Sequence, residues 1–164
     1  MNNSWGNYSY DKAIFWLYLF AIKFLTIVTK NMSFRASFCD PFKRDIIEIG
    51  SIDKGKIIET FEKIPWDELL QKMKSANEKD IYYSPSLEIE NTGNKNGVTV
   101  SAIDGTEWYI FFKRPKLRKK FFGLMKEMDN DYMTDVTGQT ETDVRDCLTA
   151  LIENNLQFLE DKIR

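Results

Sequence analysis

The sequence predicts an α+β fold: an antiparallel three- to four-stranded meander packed by N-terminal and C-terminal helices. Three observations carry that expectation. Residues 81 to 90 alternate apolar and polar side chains with the two-residue period of a half-buried strand. An Asp104-Gly105 pair then separates two β-rich runs, VTVSAI and TEWYIFFKR, in the manner of a hairpin turn. Further on, Val144, Cys147, Leu148, Leu151, Ile152, Leu156, Leu159 and Ile163 recur at helical spacing behind Thr140, which has Asp143 three residues on as a capping-box partner.

The chain opens with an apolar run, AIFWLYLFAIKFLTIVT at residues 13–29, close to the shortest length that crosses a bilayer. Lys23 falls near its middle, where a cation costs roughly 3 kcal/mol on insertion scales, and no A-x-A cleavage site follows. Three readings stay open: residues 1–31 as a dispensable extension with Met32 as the true start, a membrane anchor, or a core helix. Under the anchor reading, Lys30, Arg35, Lys43 and Arg44 after the run keep the domain on the cytoplasmic side of the inner membrane. Residues 32–164 carry no internal repeat and no Pro/Gly-rich linker, and are expected to form one domain able to fold without the first segment.

Within that domain, residues 44–49 suit a strand. Asp53 is placed to cap a helix carrying Ile57, Ile58, Phe61 and Ile64, which Pro65 splits from a second piece with Trp66, Leu69, Leu70 and Met73. The 81–90 strand contains Pro85, which favours an edge position, and NTGNKNG then turns the chain. A two-residue type I′ turn at Asp104-Gly105 pairs Ser101 with Trp108, Thr99 with Ile110 and Ala102 with Glu107. That register puts Val98, Val100, Tyr109 and Phe111 on one face and Thr99, Ser101, Trp108, Ile110 and Phe112 on the other. Pro115 suits the first turn of a short amphipathic helix through Leu117, Phe121, Leu124, Met125 and Met128, and YMTDVT adds a fourth strand.

Composition removes much chemistry. A 43% hydrophobic, 14% aromatic chain of 164 residues can bury a core, so wholesale disorder is excluded. The absence of histidine removes the usual general base, every Ser-His or Cys-His pair and all imidazole ligands. Cys39 and Cys147 lie far apart without a C-x-x-C, which points to reduced thiols and the cytoplasm rather than to zinc or a disulfide framework.

Gly50, Gly55 and Lys56 reproduce part of a phosphate-binding loop. Ile57 stands where a magnesium-binding hydroxyl is needed, and Asp53 puts negative charge where phosphate would lie, so a turn and a helix cap are the better reading. Glu88 and Glu90 share one strand face, and Asp129, Asp131 and Asp135 crowd one turn. Met133 and Thr134 break the calcium-loop pattern, so these acids read as solvated, and the sequence implies no cofactor and no metal.

The run EWYIFFKRPKLRKKFF at residues 107–122 mixes cations with aromatics, as nucleic-acid surfaces do. Outside residues 107–126, however, residues 32–164 hold 13 basic and 23 acidic side chains, a net of −10 that repels a polyanion. Residues 127–146 alone hold seven Asp/Glu against one Arg. The function expected is therefore a small non-enzymatic protein-binding domain, an inhibitor or immunity-type protein neutralising an unidentified protein partner. Its expected partner-binding residues are Trp108, Phe112, Lys113, Arg114, Lys116, Arg118 and Lys119. The alternative is a nucleic-acid-binding module using residues 108–122, and membrane association enters only if residues 13–29 form an anchor.

Overall fold

Alternation governs more of the chain than the three runs that first display it. A computed structural model describes residues 33–120 and 125–164, all within one compact unit, Ser33–Arg164. The apolar run at residues 13–29 and its three readings lie outside the described residues. Phe34, Ala36 and Phe38 alternate with Arg35, Ser37 and Cys39 in a first strand, β1 (Phe34–Cys39), whose short period-two pattern the sequence reading passed over. Then come β2 (Ile47–Ile52), a 3-10 turn at Lys54–Lys56, α1 (Ile57–Glu62), α2 (Trp66–Ser75) and a second 3-10 turn at Glu78–Asp80. The rest is β3 (Ser86–Asn91), β4 (Gly97–Ala102), β5 (Trp108–Lys120), β6 (Met125–Gln139), α3 (Glu141–Ile152) and α4 (Leu156–Lys162).

The fold is α+β, and its sheet has six strands rather than three or four, in the order β2-β1-β3-β4-β5-β6, with every neighbouring pair antiparallel. The helices cover one sheet face. Leu87 and Ile89 from β3, Val98 and Val100 from β4, and Ile110 and Phe112 from β5 meet Ile57, Phe61, Val144, Leu148, Leu151 and Leu159 in a core from which water is excluded. Trp66 donates its indole Nε1–H to the carbonyl of Phe61 at 2.9 Å and packs edge-on against Trp108, ring centres 5.0 Å apart.

Several expectations change at this point. Gly50 is a strand residue rather than the turn residue expected: it sits in β2 opposite Ala36 with φ +91°, beside a bulge that only glycine enters without strain. Asp53 precedes the 3-10 turn, but its side chain makes no cap; its backbone carbonyl accepts from Lys56 N at 2.8 Å. Pro65 does divide α1 from α2. Pro85 lies just before β3, a central strand rather than an edge, and its carbonyl accepts from Ala102 N at 3.1 Å.

Thr140 and Asp143 form the expected capping box at α3, yet the single long helix is two, because Asn154 takes φ +58° and Asn155 caps α4 by accepting from Phe158 N. The helix expected after Pro115 is absent from the described residues. Leu117 belongs to β5, and Met125 and Met128 to β6, with Pro115 at a register irregularity where a missing N–H costs no ladder bond.

The hairpin register is shifted by one residue. The loop from Ile103 to Glu107 is closed by Ile103 N donating to the Glu107 carbonyl at 3.0 Å. Asp104 Oδ1 accepts from Thr106 N, Thr106 Oγ1 and Glu107 N, each at 3.0 Å. Ala102 therefore faces Trp108, and Val100 faces Ile110. Since the side-chain period is two, this slip exchanges the faces of every β5 residue.

Candidate protein-interaction surface

The slip decides which of the expected partner-binding residues reach solvent. Trp108 is 6% exposed and Phe112 is 0% exposed, so both belong to the core and not to a surface. Arg114 is 5% exposed; its Nε lies 2.5 Å from Glu160 Oε1 and its Nη1 3.0 Å from Thr134 Oγ1, which ties β5 to α4. Lys113 points to the opposite sheet face, where Nζ lies 2.9 Å from Glu90 Oε2 and 3.2 Å from Glu88 Oε1. The two glutamates do share a face, as expected, but they are bridged by this lysine rather than simply solvated, and Lys95 Nζ lies 3.4 Å from Glu90 Oε1 as a second partner.

Beyond Lys113 the geometry changes. β4 is six residues long and pairs with β5 only as far as Gly97–Lys113, whereas β5 and β6 run thirteen and fifteen residues. From Arg114 onward β5 is paired with β6 alone, so the two strands leave the sheet as a two-stranded arm. Asp129 and Asp131 lie along this arm and Asp135 within the sheet proper, not in one turn. Asp135 accepts from the Tyr109 hydroxyl at 2.6 Å and Asp129 from Arg118 at 3.2 Å.

The remaining expected residues all stand on the arm. Lys116 Nζ lies 4.5 Å from the ring centre of Tyr132 and 3.9 Å from Glu160; the Arg118 guanidinium lies 5.7 Å from the same ring. Lys119 is exposed and sits directly opposite Lys126, an arrangement in which like charges oppose each other across a strand pair. Among the described residues no ion pair neutralises either lysine. On the same arm Leu117 faces Met128, and both are 53% exposed. A lysine pair and an apolar pair thus form one patch that the domain's own packing leaves unsatisfied.

Leu117, Met128, Lys126 and Tyr132 are the arm residues that sequence reasoning missed. The signal was the continuation of the β5 alternation past Pro115, masked by the helix-like spacing of Leu117, Met125 and Met128.

Elsewhere the chemistry is quiet. Burial pushes the Cys147 thiol up to about 12, which keeps it protonated and unreactive. Lys56 Nζ is held by Glu59 at 2.6 Å, and among the described residues no group of three or more carboxylates or thiols converges at metal-binding distances. No helix among them is long and apolar enough to cross a membrane. Comparison of the chain with protein families, with curated proteins and with solved structures finds no match in any of the three.

Proposed function

We propose that the chain is a small non-enzymatic protein-binding domain, an inhibitor or immunity-type protein that neutralises a partner protein by seating its β5–β6 arm on it. The observation that supports this most is the arm patch: Leu117 opposite Met128 and Lys119 opposite Lys126, exposed together. A partner with carboxylates around an apolar depression relieves the lysine repulsion and buries the apolar pair at once. The exposed apolar pair favours protein over nucleic acid as the partner, since phosphate backbones offer nothing for Leu117 and Met128 to bury against.

A photo-cross-linking residue at position 117 of the full chain, expressed in its native cell, tests the reading against the same residue at position 43. One discrete protein adduct from position 117, absent from position 43 and lost with Lys119→Glu/Lys126→Glu, is the expected result. Identical adduct patterns at both positions overturn it. Retention of the purified chain on duplex DNA that falls steeply with salt and disappears in the same double variant supports the nucleic-acid alternative instead.

A further inference from the structure

A cavity of about 310 Å³ opens at the other end of β5 from the arm, between the start of α2, the β4–β5 loop and the start of α3. The indoles of Trp66 and Trp108, in edge-to-face contact, line it together with Leu70. Four carboxylates stand around it: Asp67 and Glu68 from α2, Asp104 from the loop and Glu141 from α3. Each acid has a local use. Asp67, Glu68 and Glu141 sit in first helical turns, and Asp104 organises its loop.

Those uses do not account for the charge. The three hydrogen bonds donated by Thr106 and Glu107 hold Asp104 below the usual carboxylate range, so it is ionised at neutral pH. Glu141 is paired with Arg145 at 2.6 Å, while among the described residues no cation lies within ion-pair distance of Asp67 or Glu68. Two helix N-termini add about half a positive charge each. Four carboxylates and Glu62, which shares Arg145, against Arg145, Lys74, whose charge reaches Asp104, and two helix ends leave a net of roughly −2 at an aromatic-lined cavity. The carboxylates are not drawn together as metal ligands are, so the site suits a broad cation with apolar methylenes behind it.

We propose that this cavity receives one cationic side chain, the guanidinium of an arginine or the ammonium of a lysine, from a partner protein. The methylenes lie along the indoles and the charged head meets Asp67 and Glu68, so that ring quadrupole and carboxylates attract the same group. Its volume falls at the lower end for ligand sites, enough for one side chain. That the cation comes from a protein rests on the protein-binding reading above; that a cation is recognised does not.

The test follows the indole N–H resonances of the full chain, assigned with Trp66→Phe, during titration with N-acetyl-arginine methylamide, a six-residue peptide containing one arginine, and the norleucine analogue of each. The expected result is a saturable shift for both arginine probes and none for norleucine, tighter for the peptide. Asp67→Asn/Glu68→Gln weakens binding about fivefold or more, while Asp67→Glu retains it. Raising salt from about 50 to about 300 mM weakens it further.

No saturable shift by about 20 mM probe, or an unchanged affinity in the double variant with an unchanged melting temperature, overturns the cation site. A peptide no tighter than the single amide overturns the protein source. Leu117→Asp leaves all of these titrations unchanged, so a failure of the arm reading is read separately.

Discussion

Lys113 reaches its acidic partners by crossing β4 at Gly97. A β-carbon on Gly97 would stand 3.7 Å from Lys113 Cε and 3.3 Å from the carbonyl oxygen of Ile89, so the missing side chain is the gap through which the lysine passes. Burial works against the charge of Lys113, but its bonds to Glu90 and Glu88 outweigh that and raise its pKa; Lys113 in turn is the chief reason Glu90 titrates below its usual range. The glycine, the lysine and two glutamates three strands deep form one unit.

Lys113→Met is expected to lower the unfolding free energy by about 1–2 kcal/mol at pH 7, leaving two glutamates side by side. The folded pKa of Glu90 is depressed, so its contribution is present above the unfolded value of about 4.3 and is lost as pH falls through the folded one. Urea denaturation at neutral pH and near pH 3 should show the difference between wild type and variant shrinking in acid. A difference independent of pH counts against the ion-pair account.

Gly97→Val should cost about 1–3 kcal/mol by forcing the lysine aside and crowding Ile89. Combining it with Lys113→Ala should cost less than the sum of the two changes, because the second clears the lysine stem while the approach to the Ile89 carbonyl remains. Additive costs in the double variant would show that the close approach does not matter.

Trp108→Ala should destabilise by about 3–5 kcal/mol, the cost of a buried aromatic, whereas Leu117→Asp and Met128→Asp at half-exposed arm positions should move the melting temperature little. Thermal unfolding followed by circular dichroism separates them. A Trp108→Ala protein as stable as wild type would contradict the register.

The one-residue register slip shows what was legible and what was not. Apolar alternation and the helical stripe report which residues are buried as a set, so the antiparallel sheet, the capping box at Thr140 and the break at Pro65 could be read directly. Which face Trp108 takes depends instead on one carboxylate: Asp104 gathers three donors from Thr106 and Glu107 and lengthens a two-residue turn to a five-residue loop. The dipeptide Asp-Gly permits either. The arm was hidden for a related reason, since Pro115 suits a helix start and a strand irregularity equally, and the pairing partner that decides between them is β6.

Asp143 offers a second pH test. Its carboxylate is held at about 2, first by Lys162 at 2.7 Å and then by Thr140, so it joins the start of α3 to the end of α4. A depressed carboxylate stabilises above its unfolded pKa of about 3.9, with the benefit lost as pH falls toward 2. Asp143→Asn should cost about 1 kcal/mol at pH 7 and almost nothing near pH 2. Guanidinium titrations at the two pH values provide the measurement, and an equal cost at both would exclude the charge.

Asn154→Val should destabilise by about 1–2 kcal/mol, because a β-branched residue tolerates φ +58° poorly. The change leaves the core contacts in place but also removes the 2.9 Å hydrogen bond that Asn94 Nδ2 donates to Asn154 Oδ1, so the cost beyond that of Asn94→Ala reports the bend between α3 and α4. A neutral effect would mean that the bend relaxes.

The strand order also sets a sequence of events in folding. β3, β4, β5 and β6 are joined to their neighbours by consecutive hairpins, but β1 finds β3 by pairing Cys39 with Ser86, 47 positions away, across α1 and α2. Relative to a hairpin loop of six residues, closing that span costs roughly 2 kcal/mol more chain entropy. The four-stranded meander therefore forms as a template while β1 and β2 are still searching, and the transition state should be insensitive to substitutions at Phe34 and Ala36. Under native conditions the amide protons of β2 and β1 should exchange before those of β4. The first two strands are the last to arrive and the first to leave.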